Sequence, residues 1–376
     1  MNASRLLEIV ERMRATEAHG GLQNLLVNSV MSSLQNLVSS PNSPQWQTSL
    51  RDGLTQLSDA QTAATKSLGP EDRKAFAELR GAEFLLNDLA EMVDGVVQAN
   101  AATLQVAANE LAPFIQRRAD FLTGLDALSR HLRELGLEEP PLEAGEAELG
   151  IRLPRTVFSN SLDGLQQELK TINRIIRAVS EAVSGSPDTA EVRRISTSDP
   201  LFTLGLPLAT ILAIGKLVTW GLGVWKQVED IRLVRAQTRK LDIENSAALA
   251  EMYEKAIEKK VNGLVEAKVR EMLGVRYEEA GRAQEQRTDL TQVLGILLDQ
   301  LQKGITIEVR LGPPPPEQAD GEREDEQGRV RKANYAELAE VRQKLLFPTF
   351  SDEPLKFLAK PANDDAAQGT SEDTGD

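Results

Sequence analysis

The sequence predicts a mainly α-helical protein with an N-terminal bundle and a second helical domain, on three observations. Apolar residues recur at spacings of three and four through most of its 376 residues. Aromatic residues make up only 4% of the chain while Ala, Leu, Glu and Gln abound, a composition that favours helix over strand. Only two short stretches read as strand, GIRLP at 150–154 and ITIEVRL at 305–311, so at most a small two-stranded β element is expected.

The expected bundle covers residues 1–139. Leu6, Leu7, Val10 and Met13 stripe a first helix that Gly20 and Gly21 end, and Leu22, Leu25, Leu26, Val30, Leu34 and Leu37 stripe a second that stops before Pro41. Leu50, Leu54 and Leu57 mark a third. Pro70, with Glu71 and Asp72 behind it, suits the first turn of a long fourth helix running through Leu79, Leu86, Val93 and Val97. Pro113 is expected to kink or divide the last segment, because it removes a donor and crowds the preceding turn.

Residues 140–155 read as a linker with a short strand, since EEPPLEAGEAELG is acidic and carries Pro and Gly. The second domain, 156–312, opens with a strongly periodic helix from Leu162 to Val183, ended by Gly185 and Pro187. Asp199 and Pro200 then read as the start of one very hydrophobic helix, 201–225, whose sole formal charge is Lys216. Charged helices follow over 226–303 as a long hairpin or coiled-coil arm, with a break near Asp242 to Ser246 and acid-first pairs such as Glu251/Lys255. Pairing of GIRLP with ITIEVRL would join the two ends of this domain. Residues 313–376 read as a stiff four-proline linker, a short helix around Tyr335 to Leu346, and a disordered acidic tail.

The apolar run admits two solvents. From Leu208 to Trp225 a helix would span about 27 Å at ~1.5 Å per residue, near the ~30 Å of a hydrocarbon core. The ten Leu, Ile, Phe and Val residues between Leu201 and Thr219 supply about −3 to −6 kcal/mol towards insertion, against about +2.5 to +3.5 for a central lysine. Pro207, which should kink a helix begun at Pro200, and the glycines erode the remainder. A helix apolar all round also serves as the centre of a bundle, and Gly215, Gly221 and Gly223 suit close packing in either case. Leu208, Ile211, Leu212, Ile214, Lys216, Trp220 and Trp225 are therefore the candidate core or membrane residues. Ile231, Val234, Leu241, Ile257, Val261 and Leu264 are the candidate residues of an interaction arm.

The search for chemistry comes up empty. The chain has no Cys, which removes disulfides, thiolate zinc sites and cysteine nucleophiles, and its two histidines, His19 and His131, lie far apart in sequence. TILAIGKL resembles a phosphate loop only in its Gly215-Lys216 pair, since Thr210 and Leu217 replace the first glycine and the hydroxyl residue. A net charge of −14 argues against nucleic acid as the main partner. The N-terminus lacks the uncharged core of a signal peptide, so export by that route is not expected. No catalytic, cofactor or metal site and no small-molecule ligand is inferred. The leading expectation is a non-catalytic, self-associating helical scaffold in the cytoplasm, bound to a protein partner or to its own copies. The alternatives are a membrane-associated or membrane-inserting effector using 201–225, and an enzyme working without Cys or His.

Overall fold

The structure is a computed structural model that describes residues 3–66, 68–138, 142–196, 200–239, 246–278, 281–316 and 326–348. It is mainly helical, with one small sheet and one long hydrophobic helix. The chain divides into two compact units, Met1–Pro141 and Leu142–Asp376.

The first unit is all helix. Helix α1 (Ala3–Gly20) ends where Gly21 takes a left-handed φ of 57°. A single helical run follows, made of α2 (Leu22–Asn24), a π-helical segment (Leu25–Met31) and α3 (Ser32–Ser39), and α4 (Pro44–Thr65) starts with Pro44 in its first turn. The long fourth helix expected from Pro70 is instead broken: α5 (Pro70–Glu78) and a π-helical segment (Ala82–Leu86) precede α6 (Leu89–Ala99). Two features force the break. Arg80 sits at φ 60°, and Asp88 caps α6 by accepting from the Glu91 amide at 2.8 Å. The buried Gln61 side chain serves the backbone left unpaired there, donating to the Leu85 and Asn87 carbonyls (3.1 and 2.6 Å) and accepting from the Leu89 amide (3.0 Å). The last helix, α7 (Leu104–Glu134), runs as one element through Pro113, so the proline does not divide it.

Helices α1 and α7 pack antiparallel. Arg118, fully buried on α7, donates to the Phe84 carbonyl (3.0 Å), to Gln23 (2.8 Å) and to Glu17. Further along, Glu11 of α1 meets Ser129 and Arg133. An interior guanidinium is tolerable only when its donors are used, and this one also ties α1, α7 and the second π-helical segment together.

The second unit carries the sheet. Its order of elements is β1 (Ala147–Arg152), α8 (Leu162–Ser184), β2 (Glu191–Ser196), β3 (Leu201–Gly205), α9 (Leu208–Arg239), α10 (Ser246–Leu273), α11 (Arg282–Gln302), β4 (Thr306–Leu311) and α12 (Glu326–Gln343). All neighbouring strands are antiparallel in the order β2-β3-β1-β4. The connectivity is the β-α-β-β-α-β pattern of ferredoxin-like units, with the second crossover expanded to three helices. An odd number is required there, because β3 and β4 both oppose β1 and so run the same way.

Four expectations are corrected. The sheet has four strands where two were expected; the GIRLP–ITIEVRL pairing is present, with Gly150 opposite Glu308 and Arg152 opposite Thr306. The first five residues of the supposed 201–225 helix are β3, buried throughout. A central strand covered on both faces reads as an unbroken apolar run, just as a buried helix does. Pro207 does not kink a helix but precedes one: its carbonyl accepts from the Thr210 and Ile211 amides at 3.0 and 3.1 Å. The C-terminal helix also starts earlier than expected, at Glu326. Asp199, the expected break at 242–245, and the tail from 349 onward lie outside the described residues.

Candidate functional site

Helix α9 organises the second unit. Ile211, Leu212, Ile214, Leu217, Val218, Leu222, Val224 and Trp225 are all buried in one core shared with α8, α10, α11, α12 and the sheet. Leu208 and Trp220 are partly buried against the same core. Two glycines let neighbouring helices approach. A Cβ on Gly215 would come within 2.9 Å of Val341 on α12, and one on Gly221 within 2.7 Å of Leu301 on α11. The Trp225 indole N–H, with no access to water, donates to the Leu298 carbonyl of α11 at 2.8 Å. At the start of the helix the buried Thr210 hydroxyl donates to Asp188 at 2.6 Å, fastening α9 to the turn after α8.

Lys216, the charge that complicated the apolar run, points out of the core to Glu337 of α12 at 2.7 Å. Both side chains are a little under half exposed, so the pair marks which face α12 covers more than it holds α12 down. By length and composition the stretch Leu208–Val234 can cross a membrane, with a mean hydropathy of 1.5, and 61% of that apolar window is buried within the protein. A core helix satisfies the same description.

The candidate arm residues separate into two groups. Ile257 and Val261 are fully buried, and Ile231 and Leu264 pack against the same core. Val234 is exposed, and Leu241 lies outside the described residues. The division follows the hairpin. Among the described side chains, the last buried one on α9 is Arg232 and the first on α10 is Ile257. None of the described side chains between them is buried, and Leu233, Val234 and Met252 are each more than half exposed. At ~1.5 Å per residue, α9 runs about 10 Å past the core and α10 begins about 16 Å before it. Good helix formers and pairs such as Glu251–Lys255 (2.8 Å) support helix there without tertiary cover.

The sheet contributes a feature that the sequence reading missed. Its core-side face is apolar, carrying Leu149 and Ile151 from β1, Ile307 and Val309 from β4, and Phe202 and Leu204 from β3. The opposite face is polar. The register sets Glu191, Gly205, Glu148 and Arg310 in one row across the strands, and Arg194, Thr203, Gly150 and Glu308 in the next. Glu148 is buried and accepts from three guanidiniums, Arg193 (3.3 Å), Arg194 (3.1 Å) and Arg310 (3.2 Å). A bulge at Arg193 brings two consecutive β2 arginines to this carboxylate. The signal was present as the alternation of Glu148, Gly150 and Arg152 with Ala147, Leu149 and Ile151.

Elsewhere the chemistry is sparse. A cleft of about 410 Å³ between the start of α9 and α12 is lined by Leu208, Glu326, Gln327, Val330, Arg331 and Asn334. Its one arginine is engaged by the Ala144 carbonyl at 2.9 Å. His131 is exposed and meets Glu134 at 3.3 Å. It sits level with Glu11 of α1, eight residues, or about 12 Å, from His19, so the histidines are not brought together. Among the described residues no group of three or more His, Asp or Glu is placed to hold a metal ion. No family model, no curated protein and no solved structure matches this chain.

Proposed function

We propose that the protein is a non-catalytic helical scaffold that self-associates through the described part of its α9–α10 hairpin beyond Arg232 and before Ile257. One observation carries the reading: among the described side chains none between Arg232 and Ile257 is buried, while both helices continue with Leu233, Val234 and Met252 exposed. Two antiparallel helices presenting apolar side chains are half of a four-helix arrangement, and a second copy supplies the matching half by two-fold symmetry. The test is light scattering on the intact chain across concentrations. A dimer or larger species is expected, reduced to monomer by Val234→Lys with Met252→Lys; a monomer at all concentrations rejects the reading.

A second reading, a membrane-associated effector, is favoured by the length and hydropathy of Leu208–Val234. It requires α12 to leave α9, exposing the Gly215 face that Val341 now covers. Flotation of the intact protein with liposomes supports this reading. Recovery without detergent and no flotation rejects it.

A further inference from the structure

We propose that the outer edge of β2 is a strand-pairing surface for the β2 edge of a second copy, a contact separate from the α9–α10 hairpin. β2 ends the sheet, and among the described residues no strand lies beyond it. Its outward backbone groups follow from the register. The Leu153 amide donates to the Pro200 carbonyl at 2.8 Å, one step beyond the Arg152–Leu201 pair. Hydrogen-bonded pairs alternate along an antiparallel ladder, so Phe202 and Leu204 bond to β1 while Leu201, Thr203 and Gly205 bond to β2. Val192 and Ile195, opposite Leu204 and Phe202, therefore turn their N–H and C=O groups to the open edge. Their side chains continue the apolar face of the sheet, and each is 55% exposed.

Open edges are normally guarded by charged side chains. Here the guard is turned inward. Arg193 and Arg194 reach across β3 to Glu148 on β1, and the Arg193 guanidinium lies over Gly205, where a Cβ would meet it at 2.6 Å. What remains at the edge is self-complementary. Run antiparallel about an axis between Arg193 and Arg194, two copies of β2 set Val192 of each opposite Ile195 of the other. Each such pair exchanges its backbone hydrogen bonds, and the same bulge on both strands keeps the two pairs in step. Glu191, with its side chain 73% exposed, falls opposite Ser196 of the second copy, diagonal to that copy's Arg194 and within reach of it. A six-residue edge falls short of the ~1,200 Å² of a stable specific interface, so the pairing is weak and forms at high concentration, adding to any contact the hairpin makes.

The experiment is disulfide trapping, which the absence of native cysteine makes specific. Val192→Cys and Ile195→Cys variants of the intact protein are oxidised separately and as an equimolar mixture at ~200 µM. In the paired register the Val192 Cα of one copy lies ~5.5 Å from the Ile195 Cα of the other, whereas like positions are about 8 Å apart, beyond disulfide reach. The mixture should therefore form covalent dimer at least about fivefold faster than either variant alone. Excess native protein, which has no thiol, should slow that reaction, and excess Ile195→Lys should not. The preference should persist when both variants also carry Val234→Lys and Met252→Lys, so failure of the hairpin contact and failure of this one read differently. Equal rates in the three samples, or no covalent dimer in any, overturn the pairing.

Discussion

Replacement of Trp225 by alanine tests whether α9 is a helix of the protein core. The side chain is fully buried and its N–H is used by Leu298. A tryptophan takes roughly 150–250 Å² out of water. At about 25 cal/mol per Å² this is worth about 4–6 kcal/mol, an upper figure because the unfolded chain already hides part of that area. The indole hydrogen bond adds about 1 kcal/mol, and the surroundings recover some of the loss by collapsing into the cavity. The net expectation is about 4 kcal/mol. For a unit of this size that corresponds to a fall of roughly 8–16 °C in melting temperature. Differential scanning calorimetry on the intact chain reads it, with the transition of the first unit as internal reference. Gln227→Ala, at an exposed position of the same helix, should stay within about 0.5 kcal/mol of the native protein. A Trp225→Ala shift under about 3 °C, in a variant with native far-ultraviolet dichroism, would refute the placement of α9 in a packed protein interior.

Two further substitutions probe the rest of the molecule. Gln61→Leu keeps the volume but leaves the Leu89 amide and the Leu85 and Asn87 carbonyls without their side-chain partner. It should cost about 2–4 kcal/mol and speed hydrogen exchange at Leu89, whereas a loss below about 1 kcal/mol would mean the α5–α6 break holds without it. Glu181 of α8 is held below the usual carboxylate range by hydrogen bonds from Arg282 and Gln286 on α11. A depressed carboxylate stabilises the fold above its unfolded pKa of about 4.3, and that contribution is lost as pH falls through its lower folded value. The urea-midpoint gap between native protein and Glu181→Gln should therefore be positive at pH 5.5 and shrink towards pH 3. A gap independent of pH contradicts the α8–α11 contact.

Local periodicity carried most of the fold because helices in this chain answer to nearby residues. The ends at Gly20 and Gly185 and the start at Pro70 were readable from cap and breaker chemistry. The errors arose where partners are distant. The break after Glu78 depends on Gln61, which lies on α4, and nothing in the sequence around Arg80 announces it. The polar residues of β2 looked like a solvated loop, because the carboxylate they converge on is 46 residues earlier and Arg310 another 162 beyond it.

The apolar run shows why one local pattern can serve two structures. Its amino-terminal five residues are a strand because they pair on both sides, with β1 and β2, and all five are buried. The remainder is a helix apolar all round because five elements pack about it. Lys216 neighbours Gly215, at the place where α12 lies against α9, and reaches an acid on α12. The charge therefore sits at the rim of a helix–helix contact, and the glycine beside it is what lets Val341 approach. Small residues also let helices pack closely within lipid, so it is release of α12 and flotation with liposomes, and not the glycine, that separate the two solvents.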